Sequence, residues 1–165
     1  MKTFKSLTDF SLFAAAALPV ITLAEMKRGL EHCATVVEHT AKQEIGTYQD
    51  AVGPFSAWPQ LADSTQEERE RLGFTPNDPL LRKGDLRDSI EHETEQLRAV
   101  IGSKSDIAAY QEFGTNRIPP RPFMGPAVIH NEKLIVKILG GAVARGISGG
   151  HIAAPALGYD RDITP

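Results

Sequence analysis

A chain of 165 residues, 41% hydrophobic and 24% charged, has the size and composition of one soluble globular domain, which argues against wholesale disorder and against an all-apolar membrane class. Its formal net charge of -3 argues against a dedicated nucleic-acid binder, whose footprint is a strongly basic surface. The single cysteine, Cys33, excludes an intramolecular disulfide framework and a cysteine-based zinc site.

In chain order, Lys2 and Lys5 precede an apolar stretch over residues 10–23, the outline of a secretory signal. Asp9, Ser11 and Pro19 interrupt it and the pattern runs on without a break, so cleavage is not expected, and the stretch reads as too short and too interrupted to span a bilayer. Residues 7–18 are expected to form a short helix that Pro19 stops. Within residues 20–48, Leu23, Met26, Leu30, Cys33, Val37, Ala41 and Ile45 recur at spacings of three and four, one face of a long helix that Gly46 ends. Cys33 belongs to that face as a buried structural thiol.

Trp58 is expected to pin the loop Pro54-Phe55-Ser56-Ala57-Trp58-Pro59 to the body. Ser64-Thr65-Gln66-Glu67 reads as a capping box opening a short polar helix that ends at Gly73. The chain then turns at Lys83-Gly84, and Asp85 is the expected N-cap of another short helix. Residues 89–95 and 97–102 alternate in polarity as two strands of a hairpin. Residues 106–113 suit a helix closed by Gly114 in a left-handed conformation, and Pro119, Pro120 and Pro122 then force an extended path. Pro126 fits the first turn of a C-terminal helix whose apolar stripe is Val128, Ile135, Ile138, Leu139, Ala142 and Val143. Residues 1–145 are thus expected to form one domain, with 1–22 as a helical extension, and the glycine-rich residues 146–165 a flexible tail.

Residues fit for chemistry are scattered. His32, His39, His92, His130 and His151 show no two-ligand spacing for a metal. Glu91, Glu93 and Glu95 project from one strand face, where they offer carboxylates for acid and base work, but a solvated sheet face explains them without it. No phosphate-cradling loop, dinucleotide fingerprint or nucleophile elbow is present. No catalytic residue, cofactor or metal is expected. The densest cluster of shape-setting residues is instead Tyr110-Gln111-Glu112-Phe113-Gly114-Thr115 with Arg121-Pro122-Phe123-Met124-Gly125-Pro126-Ala127, in which Phe113, Phe123 and Met124 are the expected anchors. Arg117 and Arg121 read equally as solvated loop charges or as groups facing a neighbouring subunit or DNA.

The segment Lys83-Gly84-Asp85-Leu86-Arg87-Asp88-Ser89-Ile90 resembles the Thr-Gly-x-Leu-x-x-Ser-Ile signature of small bacteriophage neck and tail-completion proteins, with Lys83 in place of the threonine. The Glu112-Phe113-Gly114-Thr115 and Arg121-Pro122-Phe123 elements are similar to that family's in order and separation, and Trp58-Pro59-Gln60-Leu61 resembles its virion morphogenesis branch in Mu-like phages. The resemblance, over residues 55–143, implies an α+β fold with a small antiparallel sheet packed with a long N-terminal helix and a C-terminal helix. It implies a non-enzymatic virion protein of the neck or tail, assembled in the host cytoplasm as a homo-oligomeric ring. The implied partners are portal, connector or tail-terminator proteins, with incidental contact to DNA in the channel and none to membrane. Its motif and interface residues would be Gly84, Leu86, Ser89, Ile90, Glu112, Phe113, Gly114, Thr115, Arg121, Pro122 and Phe123. Two readings compete with this one: a small secreted or periplasmic binding module, and an enzyme using the Glu91 to Glu95 face.

Overall fold

The computed structural model describes residues 6–148, so Lys2, Lys5, His151 and most of the expected tail lie outside the described residues. Among the described residues six helices and one hairpin follow in the order α1 (Leu7–Glu44), α2 (Asp63–Arg71), α3 (Asp85–Asp88), β1 (Ile90–Glu95), β2 (Arg98–Ser103), α4 (Asp106–Phe113), α5 (Met124–His130) and α6 (Glu132–Ile147). β1 and β2 pair as a two-stranded antiparallel sheet. The expected α+β class, with its long N-terminal helix and a C-terminal helix, is what the chain adopts. The described residues group into two compact units, the first made of residues 6–34, 93–100 and 132–148 and the second of residues 35–92 and 101–131.

α1 is one helix where two were expected, because Pro19 does not break it. Proline's fixed φ is itself helical, and what it forfeits is one hydrogen bond to the carbonyl four residues back. Ala15 and Pro19 are both exposed, so water can serve that carbonyl. With the break gone, an 18-residue window of α1 has mean hydropathy 1.7 and none of it is buried. By length and composition alone it is apolar enough to cross a membrane, contrary to the expectation from its interruptions, and a signal sequence would pass the same test.

In the first unit α6 runs antiparallel to α1: Thr22 meets Gly146, Gly29 meets Ala142, and Cys33 lies near the Ile135 carbonyl. Small residues set this spacing. A Cβ on Gly146 would stand 2.5 Å from Thr22 Cα, and one on Gly29 would stand 2.9 Å from Ala142 Cβ. Gly146 is therefore a buried helical residue rather than the start of the tail. Ile138 and Ala142 are buried, and Arg145 Nε donates to Glu25 Oε2 at 3.1 Å. Cys33 is buried as expected, and burial pushes its thiol pKa up, which disfavours the reactive thiolate.

The second unit buries Val37, Ala41 and Ile45 of α1 with Trp58, Leu86, Ile90, Phe123 and Ala127. α1 ends at Glu44, and Gly46 at φ +102 donates its N–H to the Pro79 carbonyl. The capping box is not used. α2 is capped two residues early, by Ala62 rather than by Ser64, and the Ala62 carbonyl accepts from the N–H groups of Thr65 and Gln66, which leaves Ser64 inside the helix. α3 is likewise capped one residue early, by Gly84 at φ +95 rather than by Asp85. The expected C-terminal helix is two helices, because Asn131 leaves helical geometry and its side-chain amide donates to the Ala127 carbonyl and to Thr40 Oγ1, both at 2.8 Å. Val128 is exposed in consequence, outside the stripe assigned to it.

Candidate functional site

The second unit brings the sequence motifs together. α4 ends at Phe113, and Gly114 turns the chain at φ +72 and ψ 176, a positive-φ conformation open in practice to glycine alone. This is not the left-handed cap that was expected, although glycine is required on the same ground. A Cβ there would meet the Ile118 carbonyl oxygen and Pro120 N at 2.9 Å. Thr115 closes the loop, since its N–H donates to the Ile118 carbonyl at 2.8 Å and its hydroxyl accepts from the N–H groups of Arg117 and Ile118. The returning segment then bonds α4, with Arg121 N–H donating to the Gln111 carbonyl at 2.7 Å.

Glu112 ties one motif to the next. Its carboxylate accepts from the N–H groups of Phe123, Met124 and Gly125 at 2.8, 3.1 and 3.3 Å, the donors that the start of α5 leaves without helical partners. Phe123 behind it is fully buried. Arg121, read equally as a solvated loop charge or as a group facing a neighbouring subunit or DNA, is 4% exposed, and its guanidinium donates to the carbonyls of Pro59 and Gln60. Trp58 Nε1 donates in turn to the Pro122 carbonyl at 2.8 Å, so the loop is pinned as its aromatic residue implied. The Gly84 to Ile90 motif contributes buried Leu86 and Ile90, while Ser89 Oγ bonds the Leu86 carbonyl and Ser103 Oγ, both at 2.7 Å.

Phe113 departs from expectation: it is 80% exposed and anchors nothing in the core. Ala108, Gln111 and Glu112 turn α4's inner face to the body, which leaves Ile107, Tyr110 and Phe113 as an exposed apolar stripe at a spacing of three.

Beside the junction lies an open groove of about 930 Å³, walled by Gly84 and Leu86, by Arg121, and by Leu72, Phe74 and Ile107 among others. Arg69, which no sequence motif marked, is buried beneath it and donates through Nη1 to the carbonyls of Asp78 and Leu81 at 2.6 and 3.1 Å. Burial lowers the pKa of both buried guanidiniums, with the Arg82 charge adding to the effect at Arg69 and the Arg69 charge adding to it at Arg121. Glu44 was also unmarked. It is 4% exposed, and burial first, then the charge of Glu112, raise its pKa to about 8. Its Oε1 lies 3.1 Å from His130 Nδ1. In this junction the motif side chains hold backbone groups: carboxylate, guanidinium, hydroxyl and indole each have a main-chain partner, and Ser89 Oγ has the Ser103 hydroxyl besides. Among the described residues no group of three metal-ligating side chains comes together. Glu93 and Glu95 stand exposed on β1, Glu91 pairs with Lys104, and His92 turns to the other face to pair with Glu38.

The model of the phage virion morphogenesis family matches residues 11–143, most of the chain and all of the motif junction. This chain belongs to the phage virion morphogenesis family. No curated protein and no solved structure matches it. As a phage virion morphogenesis protein it has a structural, virion-associated role.

Proposed function

We propose that this phage virion morphogenesis protein completes the tail or joins head to tail at the neck, acting through protein contacts and without catalysis. It works as a homo-oligomeric ring that engages portal, connector or tail-terminator proteins, after assembly in the host cytoplasm. One observation carries the reading: the motif side chains are engaged in holding main chain in shape, beside an open groove and an apolar stripe that face outward. That division, rigid inside and adhesive outside, suits a part whose work is to fit other parts.

The experiment is a joining assay with purified heads and tails, run alongside the solution mass of the full chain by light scattering. Restored joining, from a ring or from a monomer that assembles on the particle, supports the assignment. A stable monomer with no effect on joining refutes it. A small secreted or periplasmic binding module is the second reading, favoured by the uncovered apolar window of α1. N-terminal sequencing of the mature protein separates the two, because an intact start excludes export by a cleaved signal.

A further inference from the structure

The groove is electrically unlike the rest of the chain. Arg69, Arg82, Lys83, Arg117 and Arg121 line it against the one acid Asp85, in a protein whose formal net charge is -3. The two buried guanidiniums, those of Arg69 and Arg121, hydrogen-bond only carbonyl oxygens among the described residues, and the carboxylates that act on Arg69, those of Asp78 and Glu68, do so through charge alone. A dipolar partner leaves net positive potential in a poorly screened place. Lys83 and Arg117 at the rim are exposed and make no ion pair among the described residues. Gln111 adds a buried side-chain oxygen that has no donor among the described residues. Leu72 and Ile107 give the same groove exposed apolar wall, and Ile107 continues into the stripe of Tyr110 and Phe113.

The same chain carries a complementary feature elsewhere. Glu93 and Glu95 project from β1, exposed and without an ion pair among the described residues, and the turn that follows presents Leu97 at 48% exposure. We propose that the groove receives this hairpin from a second copy of the chain, with Glu93 and Glu95 meeting Lys83 and Arg117, and Leu97 meeting the wall of Leu72 and Ile107. Groove and hairpin are different surfaces, so the contact is heterologous: each copy uses its groove for one neighbour and its hairpin for the other. Repetition of that contact builds a ring where the rotation closes. The inference rests on the homo-oligomeric reading given above and supplies its interface. DNA is the poorer occupant, because two of the five cations are buried on carbonyls and Arg82 pairs with Glu68, which leaves too few for a run of phosphates.

The test uses the full chain in sedimentation velocity at low and high salt, as wild type, as Lys83→Glu with Arg117→Glu, as Glu93→Lys with Glu95→Lys, and with all four changes together. Wild type should associate, and more weakly at high salt. Each double variant should lose about tenfold or more in association, and the fourfold variant should recover it, because both surfaces are reversed together. All four sites are exposed, and matching thermal melts check that the fold is kept. A wild-type oligomer indifferent to both double variants, or one that the fourfold variant fails to restore, overturns this interface while the oligomeric reading stands. Wild type that remains a single chain, alone and in the presence of tails, overturns both. Binding of a duplex oligonucleotide that the Lys83 and Arg117 reversals abolish while oligomer mass is unchanged would give the groove to phosphate instead and overturn the proposal.

Discussion

Phe113 and Phe123 stand ten positions apart in two adjacent motifs and look alike in sequence, yet the fold treats them oppositely. Phe123 is fully buried behind the Glu112 carboxylate, so Phe123→Ala should cost about 3 to 5 kcal/mol in urea unfolding. Phe113→Ala, at a position 80% exposed, should stay within about 0.5 kcal/mol of wild type in the same measurement. An eight-residue helix holds barely two turns, too few for periodicity to say which face is inner, and here the apolar face is the outer one. Trp58 and Cys33 were legible because burial is the ordinary fate of their residue types in those contexts. Arg121 and Arg69 were not, since a guanidinium that caps carbonyls in the interior has the same sequence signature as one in water.

At the level of elements, the Glu112 contact and the Gly114 turn are the joints between α4 and α5. Glu112→Ala removes one acceptor from three N–H groups, and a loss of about 1 to 3 kcal/mol is expected by thermal or urea unfolding. Gly114→Ala should cost more than about 1 kcal/mol, because positive φ and contact with the Ile118 carbonyl act together, and wild-type stability for that variant would remove the steric account. The hairpin and α4 were read from the sequence to within a residue or so, since strict alternation and a glycine stop are local signals. The misplaced boundaries were those decided by tertiary partners. Pro19 was absorbed at an exposed stretch where water can reach the freed carbonyl, and Asn131 ended α5 through a bond to Thr40, ninety-one positions away in the chain.

For the molecule as a whole, pH dependence follows from two carboxyls of opposite sense, the buried Glu44 and the half-buried Glu38. Glu44 in the folded state titrates near 8, well above an unfolded glutamate, so folding favours its neutral form. Stability is therefore fullest below the unfolded value and falls as pH rises toward 8, by at most about 1.4 kcal/mol for each pH unit. Glu44→Gln should flatten that decline in unfolding experiments run from pH 5 to pH 8, and an unchanged slope would place the titration elsewhere. At Glu38 burial pushes the carboxyl pKa up, but the hydrogen bonds and charges of Lys42 and His92 outweigh it and hold the value below the usual range. Its contribution is present above the unfolded value and is lost as pH falls through the folded one.

Trp58 is the chain's single tryptophan, and it lies at the seam where Pro122 meets the loop of residues 54–59. Its ultraviolet emission is consequently a private optical signal from that seam. A red shift in a variant or on dilution marks water reaching the indole there, even while far-ultraviolet dichroism still records every helix intact.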